Sequence, residues 1–344
     1  MRRALLQAGC VLVAVALSAC RPAPSDSAPE LLTFGGPVMG TRFLVKVVGR
    51  PPRDAESLER EIGRCLDEID RLMSTYRPDS ELSRFNRFDR TEWFPVSEPT
   101  ARVIAEAVRV GDLTGGALDV TVGPLVDLWN FGPERRPGDR VPSPQELDRA
   151  RERIGYDRLD VRLAPPAVRK KKPDLSVDLS AIAKGFAVDA VADLLERRSI
   201  EHYMVEVGGE VRARGRNPRG RPWQIAVEVP LEGLRAIQRV VPVSGSALAT
   251  SGDYRNYFEV EGVRYSHILD PRTGRPIRHE LASASVLAPT CIEADALATG
   301  LMVLGPEAAF ELAEREGLAV LLIIRTRGGF AERMTPRMEA ALRP

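Results

Sequence analysis

The sequence predicts an α+β fold in which mixed or antiparallel sheets pack against helices. Two observations on periodicity lead to this prediction. Apolar residues recur every three or four positions in Leu58–Met73 and Pro99–Leu113, which indicates amphipathic helices. Alternating apolar residues indicate several short strands between residues 203 and 324, interrupted by helical patterns at 294–304 and 307–316. Because the strands cluster without regular βα alternation, an α+β fold is favoured over a doubly wound parallel sheet.

The remaining element predictions use the same periodicities along the chain. Residues 77–90 are polar and residues 131–142 carry Gly, Pro and Arg, so loops are predicted there. A short charged helix is predicted at 144–154, and another helix is predicted after Gly185. The predicted strands are Thr41–Gly49, the first part of Ala117–Pro124, Ser176–Leu179, Tyr203–Val207, Trp223–Val229, Val240–Val243, Ala247–Thr250, Tyr257–Glu261, Leu281–Leu287 and Leu318–Ile324.

The first twenty residues have the pattern of an export signal. A basic start, Met1-Arg2-Arg3, precedes an apolar run from Ala4 to Leu17 that is too short to span a bilayer as a mature helix. The run ends in Leu-Ser-Ala-Cys20, which resembles the bacterial lipoprotein signal, whose cysteine is acylated and becomes the mature N-terminus. An ordinary signal peptide with an incidental cysteine is the alternative. Residues 21–30 are rich in Pro, Ser and Ala, which indicates a tether.

These features divide the chain into three expected parts. They are a signal peptide at 1–19, a lipidated Cys20 with its tether at 20–32, and a domain at 33–344 that is long enough for a well-buried core. We expect the protein to be lipid-anchored at the cell membrane, on its periplasmic or extracytoplasmic side. The formal net charge is +1, with 49 basic and 48 acidic side chains, which gives no electrostatic argument for nucleic acid as a partner. The domain retains two cysteines, which form neither a disulfide framework nor a zinc-binding spacing.

One candidate site lies where a predicted strand passes into a predicted helix. The stretch Asp178-Leu-Ser-Ala-Ile-Ala-Lys-Gly185 places a carboxylate, a hydroxyl, a lysine and a glycine at this crossing. Backbone amides and carbonyls at such a crossing are available to a ligand. The alternative is an ordinary helix entry with Ser180 as the N-cap residue.

A second candidate site lies on the predicted helix at 294–304. Asp295 and Thr299 are four residues apart, so both oxygens project from one face of the helix. With no His or Cys nearby, this environment of oxygen ligands suits magnesium, which keeps waters and substrate phosphates in its shell. The alternative is that Asp295 is an acid favoured by the helix dipole and that Thr299 is a spacer.

Eight blocks of the sequence, in order along the chain, resemble the ApbE family. Its members are FAD:protein FMN transferases and are often bacterial lipoproteins. The most specific block is Ser-His-Ile-Leu-Asp-Pro-Arg-Thr-Gly-Arg-Pro276, and the likeness runs from about Phe34 to the last helix. The blocks are Pro37–Thr41, Ser74–Tyr76, Gly116–Leu125, Val177–Ser180, Val207–Gly209, Thr250–Tyr254, Ser266–Pro276 and Glu293–Thr299.

The resemblance implies an ApbE-like fold with a flavin site between lobes, and a magnesium-dependent reaction. FMN is transferred from FAD to a Thr or Ser hydroxyl of a target flavoprotein through a phosphoester bond, and AMP is released. Metal ligation would fall to Asp295, Thr299 and the backbone carbonyl of Ala181. The FAD site would be lined by Met39, Tyr76, Ala117, Leu118, Asp119, Asp178, Lys184 and Leu269.

The resemblance also assigns a role to His267, which stands in the most specific block. A histidine with an ordinary pKa of about 6.5 can accept a proton near neutral pH, so we expect His267 to be the general base for the incoming hydroxyl. A structural histidine in a strand is the alternative. The chain departs from the family pattern at Ala298, where a second Asp is often found, and the position of Lys184 is Glu in some relatives.

Two other functions use the same residues. A magnesium-dependent FAD pyrophosphatase would use water in place of the protein hydroxyl. A non-catalytic FAD-binding lipoprotein would need neither a base nor a metal, so His267 and the pair Asp295 and Thr299 argue against it. The expected partners are FAD, the membrane through the lipid anchor, and target flavoproteins such as membrane-bound electron-transfer subunits.

Overall fold

The structure is a computed structural model that describes residues 30–49, 54–132, 138, 140–231, 233, 236–254 and 256–343. The predicted signal peptide and Cys20 lie outside the described residues, as do part of the predicted tether and part of the predicted loop at 131–142. The first described strand begins at Leu31, two residues before the expected start of the domain. No helix within the described ranges is long and apolar enough to cross a membrane.

The helices follow the apolar periodicity of the sequence and begin at polar caps such as Ser97 and Ser143. The described helices are α1 (Ala55–Met73), α2 (Glu81–Arg87), α3 (Glu98–Leu113), α4 (Gly123–Leu128), α5 (Pro144–Arg151), α6 (Ala183–Arg197), α7 (Cys291–Leu304), α8 (Pro306–Arg315) and α9 (Pro336–Ala341).

The strands of the main sheet alternate between side chains that face the helices and side chains that face the opposite side. The described strands are β1 (Leu31–Val38), β2 (Thr41–Val48), β3 (Phe94–Pro95), β4 (Leu159–Leu163), β5 (Pro166–Lys170), β6 (Tyr203–Val207), β7 (Glu210–Arg214), β8 (Trp223–Glu228), β9 (Ile237–Val243), β10 (Ser246–Gly252), β11 (Tyr257–Val260), β12 (Val263–Ser266), β13 (Leu269–Asp270), β14 (Arg275–Pro276), β15 (Leu281–Ala288), β16 (Ala319–Thr326) and β17 (Gly329–Met334).

The main sheet has eight strands in the order β1-β2-β6-β7-β10-β15-β16-β17. Every neighbouring pair in it is antiparallel. Helices α1, α6, α7 and α8 cover one face, α3 packs on α7, and the core of this layer includes Val45, Val205 and Ala249 from the strands. On the other face, Met204 and Leu248 pack in a cluster that also contains residues of the β8–β9 ribbon and of α9. The predicted α+β fold with antiparallel strands is therefore confirmed.

A separate aromatic cluster joins α4 and α5 to the β11–β12 hairpin. The rings of Phe258 and Tyr265 stack with centroids 5.3 Å apart, and Trp129 lies 5.5 Å from Tyr265. The indole N–H of Trp129 donates to the carbonyl of Gly274 at 2.8 Å. This cluster supports the segment that carries His267.

Three element predictions are wrong. Residues 117–122 form turns instead of a strand, because Asp119 accepts hydrogen bonds from the N–H and the hydroxyl of Thr121. Residues 176–179 lie outside the described sheets, since the side-chain amide of Asn86 bonds to both backbone groups of Val177 at 2.8 Å. Residues 81–87, predicted as loop, form α2.

Candidate active site

Helix α6 begins at Ala183, and the loop before it is fixed by the carboxylate of Asp178. Its Oδ1 accepts hydrogen bonds from the backbone N–H of Ser180 at 2.9 Å and from the Ser180 hydroxyl at 2.5 Å. The N–H of Asp178 donates to the carbonyl of Val120 at 2.7 Å. The segment around Asp119 and the segment around Asp178, which sequence analysis placed in one site, are therefore neighbours. Ser180 is not the N-cap of α6.

Helices α6 and α7 cross at Gly185, where there is no room for a side chain. A Cβ atom on Gly185 would overlap the carbonyl of Cys291 and would lie 2.8 Å from the Cβ of Asp295. The backbone N–H of Gly185 donates to Oδ2 of Asp295 at 2.9 Å. As one of the first N–H groups of α6, it has no partner within the helix, and Asp295 supplies one. Ala181 precedes the N-cap residue Ile182, and its carbonyl accepts no hydrogen bond from the described part of the chain.

A second contact joins the same two helices, this time with the carboxylate on α6 and the N–H donors on α7. Asp189 of α6 accepts hydrogen bonds from the first two N–H groups of α7, those of Cys291 and Ile292, both at 2.9 Å. It replaces the side-chain cap that Thr290 does not supply. Arg212 of β7 lies 2.9 Å from the same carboxylate. Burial raises the pKa of Asp189, and the two backbone N–H groups and Arg212 oppose that rise.

The side chain of Lys184 lies between two buried carboxylates. Its Nζ is 3.1 Å from Oε1 of Glu210 and 3.6 Å from Oδ1 of Asp295. Burial opposes the charged form of Lys184, but the two carboxylates outweigh it and raise its pKa, so the lysine is protonated at neutral pH. Burial raises the pKa values of Glu210 and Asp295, and Lys184 opposes both rises. Asp295 is only 2% exposed.

Thr299, one turn beyond Asp295, contacts the C-terminal end of β10. Its hydroxyl lies 3.0 Å from the hydroxyl of Ser251. Just after β10, Asp253 pairs with Arg325 of β16 at 2.9 Å. Asp295 and Thr299 thus lie one turn apart on α7, and Ala181 lies two residues before α6, whose Gly185 contacts Asp295.

His267 is held by backbone on one side and is open on the other. Its Nδ1 lies 2.9 Å from the carbonyl oxygen of Asn256. A carbonyl can only accept a hydrogen bond, so Nδ1 carries the proton and Nε2 of the neutral ring is a free acceptor within the described residues. Burial lowers the pKa of His267, the Asn256 carbonyl and Asp253 raise it, and Lys184 lowers it. Burial therefore favours the neutral ring, which is the form that a general base requires.

The residues expected to line the FAD site differ in exposure. Met39 and Gly40 form the two-residue turn of the β1–β2 hairpin with φ of 46° and 72°, as a type I′ turn requires. Tyr76 is 69% exposed, so its ring is available for stacking on a flavin or an adenine. Ala117, Leu118 and Leu269 are buried.

Asp119 is the buried carboxylate of this expected set. It accepts hydrogen bonds from the N–H groups of Thr121 at 2.7 Å and of Tyr156 at 3.1 Å. Burial raises its pKa, and these hydrogen bonds oppose the rise. Asp119 therefore shapes the turn at 117–122 in addition to any contact with a ligand.

Comparison with known proteins identifies the family. The sequence model of the ApbE family matches residues 39–322. The chain belongs to the ApbE family. It is 51% identical over 304 residues to a protein of Vibrio cholerae serotype O1 named FAD:protein FMN transferase, and this match covers 88% of the chain and 90% of that protein.

Solved ApbE structures share the fold. The flavin transferase ApbE from Vibrio cholerae matches with a TM-score of 0.84 at 48% identity, over 91% of this chain and 99% of that one. The ApbE protein of Thermotoga maritima matches with a TM-score of 0.81 at 30% identity, over 92% of this chain and 100% of that one.

Several residues that build this ApbE site were not predicted from the sequence. Glu210 and Asp189 are buried acids that contact Lys184 and the start of α7, and Ser251 contacts Thr299. One signal was available for the first two. Glu210 and Arg212 alternate along one face of β7, and acidic residues at helical spacing on α6, including Asp189, oppose that face.

Proposed function

We propose that the protein transfers FMN from FAD to a Thr or Ser hydroxyl of target flavoproteins in a magnesium-dependent reaction. The observation that carries the proposal is the crossing of α6 and α7. There the N–H of Gly185 orients the Asp295 carboxylate, and the carbonyl of Ala181, four residues earlier in the chain, has no hydrogen-bond partner among the described residues. Relatives such as the Vibrio cholerae protein are named for this activity. The fold and the site residues together support the same activity here.

The oxygen atoms at the crossing fit a hard divalent cation. Magnesium accepts the ligands present here, which are one carboxylate, one hydroxyl and one unpaired carbonyl. Elsewhere in the described residues, no cluster of three or more His, Cys, Asp or Glu could hold a metal. Such a sparse set leaves coordination positions for water and substrate phosphates. The residues that would hold the ion are Asp295, Thr299 and Ala181, with Ala298 adding no second charge. Bound there, magnesium would neutralise charge on the FAD pyrophosphate.

His267 and Lys184 have separate roles in the proposed transfer. The acceptor hydroxyl oxygen attacks the phosphorus on the FMN side of the pyrophosphate, the bond to the bridging oxygen breaks, and AMP leaves with that oxygen. Nε2 of His267 takes the proton of the hydroxyl, because Nδ1 is already committed to the Asn256 carbonyl. Lys184 is protonated and 28% of its side chain is exposed, so it is suited to bind phosphate oxygens.

The anchoring of the protein is part of this proposal. The export pattern and Leu-Ser-Ala-Cys20 support a lipoprotein that is tethered on the extracytoplasmic side of the membrane. An enzyme in that position would meet the extracytoplasmic domains of membrane flavoproteins, which we propose as its targets.

The test compares FAD turnover with and without an acceptor. The protein is incubated with FAD and Mg²⁺, alone or with a target flavoprotein domain, and both AMP release and covalent flavin on the target are measured. Transfer predicts AMP release matched by flavin attachment and dependent on the target. AMP and free FMN without a target would identify a pyrophosphatase, and FAD binding without either product would identify a storage protein.

A further inference from the structure

Glu210, the first residue of β7, is a buried acid outside the set of residues that the resemblance assigns to the site. Its side chain is 6% exposed, and its Oε1 makes the 3.1 Å contact with Lys184. Its Oε2 is buried and has no hydrogen-bond partner in the described part of the chain. A buried carboxylate is costly unless it is paired, so Lys184 is the group that stabilises its charge.

The backbone next to Glu210 fixes the path of the lysine. Gly208 has a φ of 64°, and a Cβ atom there would lie 3.1 Å from Cδ of Lys184 and 3.4 Å from Oε2 of Glu210. The β6–β7 turn therefore packs directly against the lysine stem. Helix α6, this turn and helix α7 converge on one ammonium group.

The ammonium of Lys184 lies closer to Glu210 than to Asp295. The distance to Glu210, 3.1 Å, is that of a hydrogen bond, whereas the distance to Asp295, 3.6 Å, is too long for one. Oδ2 of Asp295 is already occupied by the N–H of Gly185, so Oδ1 is the oxygen that remains for a cation. An ammonium bound tightly to Oδ1 would compete with a metal ion for the same lone pairs.

We infer that Glu210 is a positioning residue that draws the ammonium of Lys184 away from Asp295 and so leaves Asp295 available to the divalent cation. This inference rests on the metal site proposed above. When Glu210 loses its charge, Asp295 becomes the single carboxylate partner of Lys184, the ion pair tightens, and metal affinity falls. When Lys184 is also removed, the competition ends and the charge of Glu210 no longer matters by this route. The two substitutions are therefore strongly non-additive.

The test measures Mg²⁺ affinity by calorimetry on the purified full chain at pH 8, without FAD. We expect Glu210→Gln to weaken Mg²⁺ binding about 10-fold or more, as for other residues that orient metal ligands. The double variant Glu210→Gln, Lys184→Met carries neither charge and is expected to bind Mg²⁺ within about twofold of the unmodified protein. Glu332→Gln, which removes a half-buried ion pair with Arg239 on another part of the sheet, is the matched control and should bind normally.

Each outcome decides the inference. Normal Mg²⁺ affinity in Glu210→Gln overturns it, and so does a double variant that binds as weakly as the single one, because Glu210 would then act as a ligand or only as a structural residue. Thermal unfolding without Mg²⁺ is measured for every variant, and the inference requires the affinity loss in protein that unfolds as cooperatively as the control. If the unmodified protein binds no Mg²⁺, the proposed metal site fails and the inference fails with it.

Discussion

The backbone N–H of Gly185 donates a 2.9 Å hydrogen bond to Oδ2 of Asp295, a residue 110 positions further along the chain. This bond orients the carboxylate that we propose as the charged metal ligand. It also satisfies one of the first N–H groups of α6, which have no partner within the helix. One contact between two helices therefore fixes the proposed ligand Asp295 and the start of α6, which lies two residues after the proposed ligand Ala181.

We expect Gly185→Ala to separate α6 from α7. The added methyl group would overlap the carbonyl of Cys291 and would approach Cβ of Asp295 to 2.8 Å, and neither atom can move without its helix. Overpacking of this kind lowers the free energy of unfolding by about 1–3 kcal/mol. Urea unfolding measures the loss, and Mg²⁺ calorimetry should show weaker binding in the folded protein.

Gly63→Ala is the control for that substitution. Gly63 lies inside α1, and a Cβ atom there would meet no heavy atom within 4 Å. Alanine is favoured over glycine in a helix interior by about 1 kcal/mol, so this variant should be stabilised. Equal stabilisation of Gly185→Ala would contradict the close crossing.

The elements that the sequence predicts best are those with a continuous apolar face. Strand β6 was predicted with its exact observed bounds, since Tyr203, Val205 and Val207 face the helices. Helix α2 was missed because only Leu82 and Phe85 mark its apolar face. Its first residue, Glu81, accepts hydrogen bonds from both the N–H and the hydroxyl of Ser97, which is a tertiary contact that no local pattern reveals.

The residues of the site also differ in whether the sequence could predict them. Asp295 and Thr299 could be paired from their spacing on one helix, and the resemblance supplied Ala181 and His267. Glu210 shares one face of β7 with Arg212, but its burial could not be predicted, because a glutamate at a strand end normally faces solvent. Its burial depends on Lys184, which reaches it from another element.

At Asp295, one substitution can remove the charge of the side chain and keep its hydrogen bond. In Asp295→Asn, the side-chain oxygen can still accept from the N–H of Gly185, so the fold should persist while the charge is lost. We expect this variant and Asp295→Ala to lose magnesium-dependent turnover. Thr299→Ala should be milder, because a neutral hydroxyl contributes less to a hard cation. Activity titrated with Mg²⁺ measures all three, and normal activation of Asp295→Asn would rule out the proposed ligand.

The lipid anchor predicts that Cys20→Ser releases the protein from the membrane fraction. The change should also block maturation of the precursor, because the acylated cysteine becomes the mature N-terminus in the lipoprotein pattern. Fractionation and the mass of the N-terminal fragment measure both effects. The ten residues between Cys20 and Leu31 span at most about 35 Å when extended, so the domain is expected to stay close to the membrane surface. Unchanged fractionation and processing would show that Cys20 is not the anchor.

His267→Ala tests the role of the base. The variant should bind FAD and Mg²⁺ normally, but FMN attachment should slow by roughly 10²–10⁴-fold, which is the usual contribution of a positioned base. His202→Ala is the control, since His202 lies before β6 and contacts the backbone N–H of Arg216 instead of the site. FAD affinity and flavin attachment are measured on the same purified samples.

The pH dependence gives the second, independent readout for His267. Burial lowers its pKa below the ordinary value, so the neutral base persists to lower pH than in a free histidine. The transfer rate should therefore rise with pH through an apparent pKa below about 6.5, and His267→Ala should lack this limb. For stability, the unfolded chain binds more protons than the folded one between the lowered pKa and about 6.5, so the contribution of this group to stability rises with pH in that window. A variant that is less stable but attaches FMN at the unmodified rate per folded molecule would show that His267 is structural, and would leave the Asp295 site as the main catalytic apparatus.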